Sequence, residues 1–489
     1  MTDANPSPVP RFHFLRNWLS MSGLVVALGS LFAFLLLFLL DLFAHFANPY
    51  IGVLTYLVAP GFLMLGVVLT VVGALLQNRH RLRAGGTVLT VQFDLARARD
   101  RRFLGLFIAG SIGFLFITAV GSYYSYHYTE SVQFCGQACH TVMQPEMVTY
   151  QHSPHARVAC VACHIGPGAT WFVKSKLSGT YQVYATLTHK YPRPIPTPVK
   201  NLRPAQDTCE HCHWPREFIG NLDRTFVSYL SDKTNPVFTV RLLLKVGGAD
   251  PTRGPVGGIH WHMSVANKVQ YIATDEGRQK IPWVRLTDSQ GVVTEYRIPS
   301  FTNDISQYEI RTMDCMDCHN RPSHQYATPN DAVDLALRLG HIDAGLPWIK
   351  TNAVWVLTRP YTNQTQAFDN IATTLANEYP DEAPVRQAIA SVQQIYQDNF
   401  FPEMKASWRD YPNNIGHKDW PGCTRCHDDN HFAADHKRKI TFSNCQQCHI
   451  ILAQSSGEQS QTLKTEGVPF NHPAGDYSGM ACNDCHNGG

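Results

Sequence analysis

Residues 160–164 read CVACH, and the frame C-x-x-C-H recurs through the rest of the chain. It returns as CEHCH (209–213), CMDCH (315–319), CTRCH (423–427), CQQCH (445–449) and CNDCH (482–486). A further pair, in CGQACHTVM (135–143), carries one more residue between its cysteines. The seven pairs use all 14 cysteines, and none falls before residue 135. Two thiols about one turn apart can form thioethers to the two vinyl groups of one haem, and the next histidine then lies under the iron as axial ligand. Disulfides suit an exported domain but do not require a histidine after every second cysteine. Zinc sites need four ligands in paired knuckles and make no such demand either. The repetition therefore predicts seven covalently bound haem c groups. Their attachment residues are Cys135, Cys139 and His140; Cys160, Cys163 and His164; Cys209, Cys212 and His213; Cys315, Cys318 and His319; Cys423, Cys426 and His427; Cys445, Cys448 and His449; Cys482, Cys485 and His486. At the odd site the extra residue must bulge the loop between the thioethers.

Outside the cysteines the chain divides by composition. It has 489 residues, enough for two or three domains, and a net charge of +3, which gives no case for nucleic acid. The low charged fraction, 16%, has a local origin. No Asp, Glu, Lys or Arg occurs in residues 17–40, 42–78 or 103–129. Each run exceeds the roughly 20 residues that a helix needs to cross a bilayer. The first is too long for a typical signal core and is followed by no clean cleavage site, so it reads as an uncleaved anchor. Arg11 and Arg16 precede the first span, and Arg79, Arg81, Arg83, Arg97, Arg99, Arg101 and Arg102 lie between the second and third. Positive residues stay inside. The third span then delivers everything after about residue 126, including every cysteine, to the outer face of the membrane. His45 and His80 fall near opposite faces, so no haem b is expected.

The fold class expected is a multihaem cytochrome c, mostly α and loop with a small antiparallel β insertion, preceded by three transmembrane helices. The membrane domain is 1–128, with spans near 18–40, 51–77 and 103–125. A tetrahaem domain follows over 129–329, with the β insertion at 236–298, where PVFTVRLLLKVGG, NKVQYIATDEG, IPWVRLTDSQG and VVTEYRIP read as strands. A helical connector covers 330–410. In it Val385, Ile389, Val392 and Tyr396 share one helix face. A trihaem domain covers 411–489.

Seven of the 23 histidines serve as proximal ligands, which leaves enough for mostly bis-histidine iron. By spacing, the distal candidates are His155, His324, His417, His431 and His472. His436 lies beside His431. His260 and His262, in GGIHWHM, are two apart on an expected strand or loop, so one of them, taken as His262, reaches a given iron.

The run CGQACHTVMQPEMVTYQHSPHARVACVACHIGPG, followed by CEHCH and CMDCHNRPSH, resembles the NapC/NirT family of membrane-anchored tetrahaem quinol dehydrogenases over roughly residues 103–326. The resemblance implies a first haem near the membrane with a Met ligand, here Met143, with Met147 as competitor. It implies His324 as ligand to the second haem and His155 as ligand to the fourth. The third haem's partner stays open between Lys174, Lys176 and His189. The resemblance also implies a quinol site of lysine and acidic residues at the membrane surface: Lys174, Lys176 and, for want of a carboxylate in 177–190, Glu146. A lysine beside Trp171 and Phe172 serves equally as an interfacial anchor. Three spans and seven motifs are more similar to the ImcH-type inner-membrane cytochromes of metal-reducing bacteria. These expectations give a respiratory electron-transport protein of the cytoplasmic membrane. It draws on the quinone pool, with menaquinol as donor, and serves periplasmic c-type cytochromes and extracellular acceptors. A terminal reductase of a small nitrogen oxyanion, which needs an open iron site, is the rival class, since every motif here ends in histidine. Electron entry from an external donor to quinone and a structural anchor for a catalytic subunit are the other two.

Overall fold

The computed structural model describes the chain from residue 17 to 486, except for 45–57, 84–95, 103–104, 107–108, 111–123, 125–126, 139, 167–168, 200–201, 249–251, 253–256, 265, 381, 458–461, 478–479 and 481. The chain divides into two compact units, residues 1–129 with 166–178, and residues 130–165 with 179–489.

The first unit holds two long helices, Trp18–Ala44 and Ala59–Arg83. An uncharged apolar run has no reason to leave the helix in lipid, where every backbone group must be satisfied within the segment. Within these helices Trp18–Leu36 and Ala59–Arg79 are long and apolar enough to span a membrane. The third expected span, 103–125, falls largely outside the described residues, as does His45. The two helices pack antiparallel through small residues. A Cβ on Gly66 would lie 2.4 Å from the Ala27 backbone nitrogen, and one on Gly23 2.4 Å from that of Thr70. Such close approach lets polar groups bond across the interface. The Ser20 hydroxyl donates to the Thr70 carbonyl at 3.0 Å, and the Asn17 amide to that of Gly73 at 3.1 Å.

The second unit is built on two antiparallel sheets and a helical cluster. Its strands are β1 (Leu222–Tyr229), β2 (Val237–Leu244), β3 (Lys268–Ile272), β4 (Trp283–Thr287), β5 (Val293–Arg297), β6 (Arg311–Thr312), β7 (His431–Ala433), β8 (Lys439–Ile440) and β9 (His449–Ser456). One sheet has the order β1-β2-β9, the other β6-β3-β4-β5-β7-β8. The four strands read in the insertion are present as β2 to β5. The single small sheet expected over 236–298 is instead two sheets, and strands from 431–456 complete both of them. The C-terminal stretch is therefore interleaved with the insertion and does not stand apart from it. Leu222, Arg224 and Phe226, alternate residues of β1, and Val240 and Leu242 of β2 line one large cavity.

The helices Pro329–Arg338, Ile349–Leu357, Gln364–Glu378 and Ala383–Asn399 form an aliphatic core in which Val333, Ile349, Ile371, Leu375 and Val392 are fully buried. Of the helix face read from the sequence, Val385, Val392 and Tyr396 are buried and Ile389 packs at the edge. An ion pair between Lys350 and Asp334 lies inside this cluster. Asp334 also accepts the Tyr229 amide of β1 at 3.0 Å, which ties the helices to the first sheet.

Candidate haem centres

The motifs share a local shape. Cys160–His164 and Cys315–Cys318 each form a single helical turn, and Cys209–His211, Gly422–Arg425 and Cys445–Gln447 form tighter 3-10 turns. Either turn carries cysteines three apart to the same side. The odd motif is different. Phe134–Ala138 is a π-helical turn that leads into the helix His140–Gln151. A π turn is what one inserted residue produces in a helical path. The described part of the longer motif thus absorbs the extra residue as a bulge. Cys139 lies outside the described residues, and so does the His140 side chain. Gly136 is closely approached: a Cβ there would meet Met147 Sδ at 2.4 Å. Met147 therefore packs against the first motif, while Met143 is half-buried on the same helix.

The other six motif histidines each face a second histidine. Ring centres are 6.3 Å apart for His164 and His324, 6.0 Å for His213 and His155, and 6.3 Å for His319 and His260. They are 6.0 Å apart for His427 and His262, 6.3 Å for His449 and His417, and 6.4 Å for His486 and His472. A metal–imidazole bond of about 2 Å on each side, with roughly 1 Å from nitrogen to ring centre, gives about 6 Å. The spacing fits one iron between each pair.

The tautomers fit as well. Nδ1 of His155 lies 3.1 Å from the Pro322 carbonyl, that of His260 2.6 Å from Val246, that of His262 2.9 Å from Ile259, and that of His427 3.1 Å from Thr441. An Nδ1–H given to a carbonyl leaves Nε2 with its lone pair facing the partner. Burial pushes the pKa of His164, His262, His319, His324, His417, His427 and His449 down, so these rings are neutral at pH 7, the state that binds metal. The pairs of the last four motifs line one continuous cavity of about 3260 Å³. An ordinary small-molecule site has about 300–1,000 Å³. No disulfide joins any of the described cysteines.

Consecutive motifs are neighbours in space. The Cys160 thiol lies within hydrogen-bonding reach of that of Cys135, and the Cys209 thiol of that of Cys315. Cys163 is within electrostatic reach of Cys212, Cys318 of Cys423, Cys448 of Cys423, and His417 of His486. The row in space follows the order in sequence.

Four expectations change. His155 faces His213 of the third motif, so the partner left open there is a histidine. The fourth motif's His319 faces His260 and not His155. His260 and His262 each face a different motif, because Ile259–Met263 is a 3-10 turn and not a strand. At three residues per turn, positions two apart point well away from each other. His431 was expected as a ligand, but its Nδ1 is 2.8 Å from Asp428 and its Nε2 2.7 Å from the Ile281 carbonyl. Both nitrogens face oxygen partners and the ring is buried, so neither is turned to an iron.

Of the expected quinol-site residues, Lys174 lies on the helix Ala169–Leu187, exposed, with Nζ 4.7 Å from the Trp171 ring centre. Lys176 is on the same helix, and its side chain is outside the described residues. On a helix, positions two apart fall on different faces. Glu146 is paired with Arg321 at 3.1 Å.

A model of the NapC/NirT cytochrome c family, N-terminal region, matches residues 98–194. The chain is 41% identical over 500 residues to the cytochrome c-type protein ImcH of Geobacter sulfurreducens, an alignment that covers 97% of this chain and 95% of that protein. No solved structure matches. A membrane-anchored electron carrier with covalently bound haem c is the class that these motifs and likenesses define. The chain belongs to the NapC/NirT cytochrome c family, as an ImcH-like member.

Proposed function

We propose that this protein is a seven-haem quinol dehydrogenase of the bacterial inner membrane. It takes electrons from quinol, with menaquinol as the donor, at the outer face and passes them to periplasmic c-type cytochromes. The observation that carries the reading is the row of six facing histidine pairs, in sequence order, which starts next to the first motif. Bound haem c supplies reversible one-electron iron chemistry. The chain supplies the rest. Each of the six facing histidine pairs would hold its group from both sides and leave no open position there for a substrate anion, which disfavours the reductase reading. The three uncharged runs and the arginine-rich stretch between the second and third, read from the sequence, support an outer-facing second unit. The first group would be held by Cys135, Cys139 and His140, with a methionine on its other side. Met147, against Gly136, now competes strongly with Met143 for that place.

The quinol site belongs on the helix Ala169–Leu187, whose first residues go with the membrane unit. A lysine there would hold the quinol oxygen and stabilise the negative charge as its proton leaves. Lys174, stacked on Trp171, is better suited to anchor the helix at the interface, which leaves Lys176 as the quinol residue. Lys176→Ala is expected to slow reduction by a menaquinol analogue on the order of 10²-fold. Lys174→Ala should leave it within a few-fold. Anaerobic stopped-flow at the haem c band decides between them, and equal rates in both variants would move the site off this helix.

A further inference from the structure

We propose that Glu146 is a positioning residue for the second centre: clamped by Arg321, its carboxylate orients His324 and strengthens that imidazole's donation toward the group shared with His164. The proposal rests on the reading that His164 and His324 hold one group.

The helix His140–Gln151 presents Glu146 to the segment that follows the fourth motif. The Arg321 guanidinium donates to both carboxylate oxygens, at 3.2 and 3.1 Å, and through Nε to the His324 carbonyl. It lies beside a stacked pair of aromatic rings, 4.0 Å from the centre of Tyr411 and 5.2 Å from that of Tyr326. Arg321, Tyr326 and Tyr411 are all buried. The Tyr326 hydroxyl adds a longer contact to the carboxylate at 3.4 Å. His324 Nδ1 completes the set, 2.9 Å from the Glu146 carbonyl and 3.1 Å from its Oε2. The His324 Nδ1–H thus goes to the Glu146 carbonyl, with the carboxylate of the same residue beside it.

Nδ1 of His155, His260, His262 and His427 meets a backbone carbonyl. His324 meets a carboxylate as well. A carboxylate on Nδ1 makes Nε2 a stronger donor, which favours the oxidised metal and lowers the potential of that centre. Glu146 is 15% exposed and Arg321 7%, so the effect is partly shielded from solvent. The same contacts occupy Glu146 fully. That is the geometry of a fixed support and not of a group that takes protons from quinol.

The test uses the full-length protein in detergent, with spectroelectrochemical titration and ferric EPR as readouts. Glu146→Gln is expected to raise the midpoint of one low-spin component by about a decade in its reduction equilibrium, about 59 mV for one electron, and to leave the others in place. Arg321→Lys keeps the charge but loses the two-pronged grip, and should alter the EPR signal of that same component. His324→Ala serves as the control and should remove a low-spin component. If it does not, the pairing with His164 has failed. If it does, and neither Glu146→Gln nor Arg321→Lys moves a midpoint or a signal, the proposal is overturned. It is also overturned if Glu146→Gln slows quinol oxidation and reshapes its pH profile with every midpoint unmoved. Should Glu146→Gln fail to accumulate, Arg321→Lys alone decides.

Discussion

Alanine at His260 and alanine at His262 are expected to give two different spectra, although the residues are two apart. His260 faces His319 of the fourth motif with rings 4° from parallel. His262 faces His427 of the fifth motif with rings at 84°. Near-parallel and near-perpendicular axial imidazoles split the ferric d orbitals differently, so the two centres fall in different EPR classes. His260→Ala should remove a component of the first class, and His262→Ala one of the second. Each should introduce a high-spin ferric signal. Both variants break the row at its middle. Electron delivery to an external acceptor should fall by more than the roughly 10–100-fold that loss of an outer-shell partner costs a metal site. EPR of the oxidised proteins and a steady-state cytochrome assay check both parts. Loss of the same component in both variants would mean that only one of the two is a ligand.

The second large effect concerns stability. Lys350 and Asp334 are 2% and 5% exposed. Burial is the largest influence on both: it pushes Asp334 up and Lys350 down, against the attraction of each for the other. A pair of this kind adds little over apolar residues of the same shape, yet either charge left alone is costly. Lys350→Ala is expected to destabilise the second unit by about 3–5 kcal/mol. Lys350→Met together with Asp334→Asn should recover most of that loss. The asparagine oxygen still accepts the Tyr229 amide, and no charge is stranded. Chemical denaturation in detergent measures the difference. A single variant within about 1 kcal/mol of wild type would mean that water reaches the site.

These residues also show which parts of the molecule can be read from the chain alone. The turns at the motifs can, because cysteines three apart and the next histidine fall within about one turn. The helix face of Val385, Val392 and Tyr396 can, because its period is local. His472 is legible by its spacing to the motif it faces, whereas His417 precedes the fifth motif and faces His449 of the sixth. Partners set by long-range folding are not. His155 reaches the third motif and His260 the fourth only once the two sheets and the loops between them are in place. Nothing in GGIHWHM announces a 3-10 turn, and an extended reading turns both rings to one side. β9 begins at the histidine of the sixth motif, where the haem signal masks the strand signal. His431 misleads in the opposite way. Its spacing suits a ligand, but a carboxylate three residues earlier and a distant carbonyl consume both nitrogens.

The measurement that goes straight to the central claim is anaerobic mixing of the oxidised wild-type protein with a menaquinol analogue, followed at the haem c absorption band. The account predicts rapid reduction that runs to the full covalent haem c complement, seven per chain by intact mass. No reduction by quinol, alongside rapid reduction by a soluble cytochrome, would contradict it and would place electron entry at the far end of the row.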